Sequence, residues 1–147
     1  MQIQLTEERI KFLEKDYCRG FIKFCGFQAS RIEKGLFEST IKIREHHRTQ
    51  DNFIHAGLIA TMSDHTAGYA AFTLVADNMR ILTIEFKINF LKPAWGNGLR
   101  CRSEIISQGR QILVAHSTVF DIRDTEEKMV SRSTITLMAV DADKLNK

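Results

Sequence analysis

At 147 residues, with 44% hydrophobic and 27% charged side chains, the chain has the size and mixture of one globular domain with its own core, and leaves no room for a second. Its formal charge of +3, from 21 basic and 18 acidic residues scattered along the chain, is too weak and dispersed for a nucleic-acid surface, yet it leaves lysines and arginines for a phosphorylated small ligand. Residues 1–8 are polar and acidic where a secretion signal would be basic and then apolar, and no apolar run reaches the roughly 18 residues of a membrane span, so a soluble, cytoplasmic protein without a membrane partner is expected. Cys18, Cys25 and Cys101 are odd in number and lack CxxC spacing, which predicts reduced thiols rather than a disulfide framework or a zinc site.

In chain order, Thr6 is a candidate N-cap followed by Glu7 and Glu8, and apolar residues at Ile10, Leu13, Tyr17, Phe21 and Phe24 keep helical spacing up to Gly26. Residues 27–32 and 36–44 read as two strands, joined at Glu33-Lys34-Gly35, where glycine supplies the turn. Residues 55–75 are apolar on nearly every face and rich in small residues, which predicts a wholly buried helix. Leu82, Ile84, Phe86, Ile88 and Phe90 alternate strictly with Thr83, Glu85, Lys87 and Asn89, the clearest strand in the chain. After Pro93 and Gly96-Asn97-Gly98, three more strands are predicted over residues 99–107, 111–122 and 129–140. Short connections imply an antiparallel sheet, and the apolar helix must be covered by that sheet wrapping around it, so the fold class is α+β.

Asp64 is the residue this scheme does not explain. Its helical neighbours Ala60, Thr61, Ala67 and Gly68 include no cation, and a carboxylate buried without a partner costs several kcal/mol, so a functional role is expected. His55-Ala56-Gly57 opens the same helix, where unpaired backbone N–H groups can hold a carbonyl oxygen as it becomes an oxyanion. His55 itself is a candidate base, although a histidine just before a helix more often bonds the backbone or lines a pocket. Eight residues separate Ala56 from Asp64, about 12 Å along a helix, so one chain cannot aim both at one carbonyl. Two such helices antiparallel across a two-fold axis can, which makes a homodimer a requirement of this chemistry. The histidines His46, His47, His55 and His65 lack metal-ligand spacing, and no metal or other cofactor is expected.

The string NFIHAGLIATMSDHTAGYAA, followed by LTIEFKINFLKPAWG and the later QGR, resembles the hotdog-fold thioesterases of the PaaI-like (phenylacetate-pathway) group, over residues 24–140. The resemblance implies a hotdog fold spanning residues 1–147 as one domain, with residues 1–26 as an N-terminal helical segment, and an acyl-CoA substrate. It implies Asp64, nine residues beyond His55, as nucleophile or general base, the Ala56 N–H as oxyanion donor, and Thr83 as a hydroxyl that orients the attacking water. The family's usual His-Gly-Gly is here His55-Ala56-Gly57, and its frequent Asn six residues before the histidine is Thr49. That leaves Thr49, Gln50 or Asn52 for the polar contact, with Gln50 favoured for its reach. Phe72, Phe86 and Phe90 are candidates to line an acyl tunnel, and Lys92, Arg100, Arg102 and Arg110 to contact the phosphates of coenzyme A.

The reading is therefore an acyl-CoA thioesterase, a homodimer and in its fuller form a homotetramer. Its rivals are a non-catalytic acyl-CoA-binding protein of the same fold, and a hotdog hydratase or dehydratase suggested by Asp51 and His55, whose spacing is one residue short of the D-x4-H motif.

Overall fold

The computed structural model of the chain describes residues 3–145. Thr6 caps α1 (Glu7–Tyr17), its hydroxyl accepting from the Arg9 N–H at 3.1 Å. The predicted single leading helix is in fact two. Gly20, at φ +61°, turns the chain in a conformation other residues resist, and α2 (Phe21–Cys25) follows before Gly26, at φ +91°, ends it. The break reorients the aromatic pattern: Leu13, Tyr17, Ile22 and Cys25 are buried, whereas Phe21 and Phe24 are 64% and 77% exposed.

Strands β1 (Gln28–Glu33) and β2 (Leu36–Lys42) form the first hairpin, and β3 (Met79–Phe90), β4 (Gly98–Gln108), β5 (Ile112–Arg123) and β6 (Glu126–Asp141) complete a six-stranded sheet. Its order is β1-β2-β4-β5-β6-β3, with every neighbouring pair antiparallel. Between β2 and β3 in sequence lies α3 (Ala56–Phe72), around which the sheet curls, touching it from five of the six strands. Small side chains let helix and sheet approach closely, and buried hydroxyls bridge them. Thr66 hydrogen-bonds both the Tyr17 hydroxyl at 3.0 Å and Ser39 at 2.8 Å, and Ser117 donates to the Ser63 carbonyl at 2.9 Å. Around this seam pack Leu13, Phe37, Met62, Leu99 and Val119 on one side and Leu113, Ile135 and Leu137 on the other.

Two expectations change here. The helix is not wholly buried, because the face carrying Gly57, Ala60, Thr61, Asp64 and Gly68 remains open to at least half-buried positions in the single chain. The alternation in β3 does not describe one face either. The β3–β6 register slips between Thr83 and Glu85, leaving Ile84 as a bulge, so that Thr83 and Phe86 both turn toward α3. The three cysteines are free, and burial pushes the Cys101 thiol up to about 11, consistent with a packing role. Among the described residues no helix is long and apolar enough to cross a membrane.

Two histidines are built into this core, one of them bonded at both ring nitrogens. His47 accepts from the Arg44 N–H at Nδ1 (2.9 Å) and donates from Nε2 to the Cys25 carbonyl (2.8 Å), so a second proton has no place without breaking a bond. The ring of His65 contacts the Tyr17 carbonyl at 3.0 Å. Burial lowers the pKa of both, opposed by those carbonyl contacts. A histidine whose pKa is lower folded than unfolded binds protons better in the unfolded chain. Stability should therefore decline as the pH falls below the ordinary value of 6.5 and keep declining until the lowered folded-state values are passed. Thermal melts between about pH 7.5 and pH 5 should show a falling Tm. His47→Gln should cost about 1–3 kcal/mol at neutral pH and flatten that fall; an unchanged slope would remove His47 from the effect.

Candidate active site

The site is built around the first turn of α3, and its position is imposed from the sheet. Asp121 lies on the inward face of β5, fully buried, and its carboxylate accepts from the Trp95 N–H at 3.0 Å, the Gly96 N–H at 2.9 Å and Arg123 Nε at 2.8 Å. Gly96 must be glycine, since a Cβ there would collide with the Ile122 carbonyl and with Asp121. The loop so held receives the segment before the helix: the Ile54 N–H donates to the Ala94 carbonyl at 2.8 Å, and Arg48 donates to the Trp95 and Gly96 carbonyls at 3.2 and 2.8 Å. Arg48 also reaches the carbonyl of Asn52, which sits at φ +67° in the tight loop. The His55 N–H donates to the His47 carbonyl at 2.9 Å, so the histidine that holds α2 also holds the helix start.

His55 is the N-cap of α3. Its Nδ1 accepts from the Gly57 N–H at 2.8 Å, which places the ring proton on Nε2 and leaves no lone pair there for a base. Gly57 also corrects the expected oxyanion site: its amide is occupied by the cap, and a Cβ at Gly57 would press on the imidazole at 2.9 Å. The amide of Ala56, at an exposed position, is the one in this turn with no acceptor among the described residues. The 17-residue helix behind it places the positive end of its dipole there.

Asp64 is half-buried and has a partner that lies 19 residues away in sequence: Thr83 Oγ1 donates to its Oδ1 at 2.7 Å. The bulge at Ile84 makes that contact possible by turning Thr83 inward. Asp64 borders a groove of about 450 Å³ with Phe21, Ile22, Thr61, His65 and Phe86. A second hollow of about 210 Å³, bordered by Phe24, His55, Gly57 and Leu58, shares Phe21 and Thr61 with it. Together they form one channel along the open face of α3, from the helix start to Asp64.

Of the other predicted residues, Phe86 enters this channel. Phe72 instead packs on Tyr69 with ring centroids 5.2 Å apart, half-buried against the core, and Phe90 is 48% exposed near the far end of β3. Gln50 is exposed on the loop and its amide donates to Asp51 at 3.3 Å; the same bond engages the Asp51 carboxylate that the hydratase reading needs. The Thr49 hydroxyl is buried without a partner among the described residues. Arg100 forms a two-pronged pair with Glu127 at 2.8 Å for each contact and lies near Glu38, while Arg102 pairs with Glu38 at 3.1 Å and Glu104 at 3.4 Å. Neither guanidinium is free for a phosphate. Lys92 is exposed near the helix start, but Arg110 sits in the β4–β5 turn at the opposite end of α3, where Gln108 reaches the Leu74 carbonyl. Asp121 and His47 were missed in the sequence. An acid on the inward side of an otherwise buried alternation (Leu113, Ala115, Ser117, Val119) was a readable signal for the first; nothing local marks the second.

His55→Ala should lower stability by about 0.5–2 kcal/mol through loss of the cap, and His55→Asn, whose side chain can cap, should restore most of it. Thermal melts of the two variants check this; equal losses in both would mean that the ring, and not its acceptor, is what the fold requires.

Comparison with known proteins places the fold in a family. A family model described as the thioesterase superfamily matches residues 51–128, more than half of the chain. The crystal structure of a thioesterase family protein from Silicibacter pomeroyi superposes with a TM-score of 0.86 and 32% identity, covering 90% of this chain and 98% of that one. A thioesterase-like, phenylacetic acid degradation-related protein from Ralstonia eutropha gives a TM-score of 0.72 at 20% identity, covering 80% and 88%. A protein of Saccharolobus solfataricus, provisionally named an esterase, is 27% identical over 129 residues, 86% of this chain and 89% of its own length. With its antiparallel sheet wrapped on one central helix, the chain has the hotdog fold and belongs to the thioesterase superfamily.

Proposed function

We propose that the protein hydrolyses acyl-CoA thioesters to the carboxylic acid and free CoA, in active sites shared between two subunits. The observation that carries this reading is a carboxylate with an ordered partner, Asp64 with Thr83, on a groove that adjoins the hollow at the start of the same helix, where the Ala56 amide has no acceptor among the described residues. The two lie eight residues apart on one helix, about 12 Å, too far to act on one carbonyl within one chain.

The surface of the chain favours pairing that would bring them together. Strand β3 is an uncovered sheet edge with exposed apolar side chains on both sides of its bulge, Leu82, Ile84 and Phe90 at 41%, 53% and 48%, which a lone domain would be expected to protect. The adjoining face of α3 is made of small residues, and a Cβ at Gly68 would meet nothing within 4 Å, so a second helix can approach closely. A two-fold axis here sets Asp64 of one chain against Ala56 of the other, twice per dimer. A dimer of dimers extends the proposal, and light scattering on the purified protein decides between the two assemblies.

In this arrangement the Ala56 N–H, backed by the helix dipole, receives the carbonyl oxygen as it becomes negative. Asp64 of the other chain takes a proton from water as its oxygen adds to the carbonyl carbon, or attacks that carbon itself. In the water route, collapse expels the CoA thiolate, which takes up the proton, and water's oxygen remains in the acid; in the direct route, the thiolate departs to leave an anhydride between the acyl group and Asp64, which water then splits into the acid and the free carboxylate, its proton neutralising the thiolate. The Thr83 hydrogen bond holds one carboxylate oxygen and leaves the other for the water.

Asp64→Asn keeps the acceptor for Thr83 and removes the base. Turnover on an acyl-CoA panel, followed by thiol release, should fall at least about 10²-fold with KM little changed. Turnover near wild type would take Asp64 out of the mechanism. Ala56→Pro deletes the proposed donor at a helix position that tolerates proline. Mixing inactive Asp64→Asn and Ala56→Pro chains by partial unfolding and refolding should return roughly a quarter of wild-type activity, because about half the dimers are mixed and each holds one intact site. Verified heterodimers with no activity would overturn the shared site.

A further inference from the structure

We propose that a basic cavity beside the helix start is the seat for the phosphate groups of the substrate's coenzyme A arm, an assignment that rests on the acyl-CoA reading above. The cavity, of about 340 Å³, lies between α2, the end of β2 and the turn that follows, and its cations are Lys23, Lys42 and Arg44, with His46 at its rim. No carboxylate lines it. Among the described residues, none of the three cations is within ion-pair distance of an acid, although most arginines elsewhere in the sheet are paired. Like charges converge here without compensation, an arrangement that repels itself until an anion arrives.

The cavity is also equipped with neutral donors and fixed in place. Ile41 is buried, so Thr40 and Lys42 project from the opposite face of β2, and Thr40 stands directly across from Gln28 of β1; both side chains line the cavity. The Arg44 backbone is held by its bond to His47, and His47 is held in turn by Cys25, so the α2 wall and the arginine are parts of one hydrogen-bonded unit.

Continuity with the active-site channel selects the ligand. Phe24 and His46 border both the basic cavity and the helix-start hollow, with ring centroids 6.3 Å apart. A molecule with its thioester at Ala56 and a long, uncharged arm leaving the channel would pass over Phe24, whose face is solvent-exposed, and bring its phosphates to Lys23, Lys42 and Arg44. Of the candidates expected from sequence, Arg100 and Arg102 are paired with carboxylates and Arg110 lies at the far end of α3; Lys92 stays near the helix start but does not line this cavity. A second basic hollow, at Lys87, His116 and Arg132, shares no residue with the channel.

The test compares one acyl group carried on coenzyme A with the same group on pantetheine, which lacks the phosphates of the nucleotide end. In Lys23→Gln/Lys42→Gln/Arg44→Gln, the ratio of kcat/KM for the CoA ester over the pantetheine ester should fall at least about tenfold. Lys87→Gln/Arg132→Gln, which removes charge from the other hollow, should leave the ratio as in wild type. An unchanged ratio in the triple variant, or an equal fall in the control, overturns the assignment. The single variants, each expected to lower the ratio by about two- to fivefold, serve if the triple variant does not fold. Calorimetric titration with 3′,5′-ADP separates the two readings: wild type should bind it more weakly as salt rises, and the variant at least about tenfold more weakly than wild type. If no thioester is turned over but this binding depends on the three residues, the cavity stands and the hydrolase reading falls; if turnover is normal and 3′,5′-ADP binds wild type and variant alike, the cavity alone falls.

Discussion

A carboxylate that is removed from water must find its hydrogen bonds inside the protein, and Asp121 does so in a way that determines where the central helix begins. Its three donors come from the loop after β3 and from Arg123 on its own strand, whose guanidinium also lies 4.1 Å from the Trp95 ring centroid. That loop then offers its carbonyls to Ile54 and Arg48, and the chain arrives at His55 with its direction already set. Removing the Asp121 acceptor would leave two backbone N–H groups and the Nε of Arg123 without their partner near the core, with the guanidinium held only by the Pro93 carbonyl and the Trp95 ring. The same change would loosen the amide of Ala56, although Asp121 touches no part of the proposed reaction.

The helix that starts there shows two contrasting faces. Toward the sheet it presents Ile59, Met62, Thr66 and Ala70, all fully or nearly fully buried, and a seam of hydroxyls whose bonding needs are met within the protein. Toward solvent it presents Gly57, Thr61, Asp64 and Gly68, beside a strand edge that is apolar yet uncovered. The sheet touches the helix from five of its six strands and leaves this face open, where the proposed second chain would dock. On that open face lie the groups proposed for catalysis, which explains why a carboxylate without a neighbouring cation is tolerated at the centre of an apolar helix. Its bond to Thr83 supplies one partner, and water in the channel can supply others.

The short helix α2 connects this site to the substrate's distal end. Phe21 faces the channel and Lys23 the basic cavity, while Phe24 borders both cavities, so one turn of helix touches every part of the proposed substrate path. Its attachment is economical: glycines in the left-handed region at both ends, and the bond from His47 to Cys25 at its last residue. Because His47 accepts from one backbone group and donates to another, it performs this role only as a neutral ring, which links the acid sensitivity of the fold to the geometry of the site.

The order of elements, the antiparallel class of the sheet and the single helix inside it were legible in the sequence, because hydrophobic periodicity and turn residues are local properties of the chain. Asp64 was legible too, as a charge that its helical neighbours could not explain, and the rise of a helix alone is what makes the proposed chemistry call for a second chain. The break between α1 and α2 was not, because the spacing of Phe21 and Phe24 continues the helical pattern and only Gly20, in a left-handed conformation, interrupts it. The bulge at Ile84 was hidden for a related reason: an alternating string records residue types, whereas the face each residue occupies depends on how β3 registers with β6. The remaining decisions were electrostatic and needed the folded chain. Whether Arg100 is free depends on Glu127, 27 residues away; whether Gly57 has a free amide depends on the rotamer of His55; and the convergence of Lys23, Lys42 and Arg44 depends on α2 meeting the end of β2. Sequence carries the charges, but only tertiary packing decides which of them find partners.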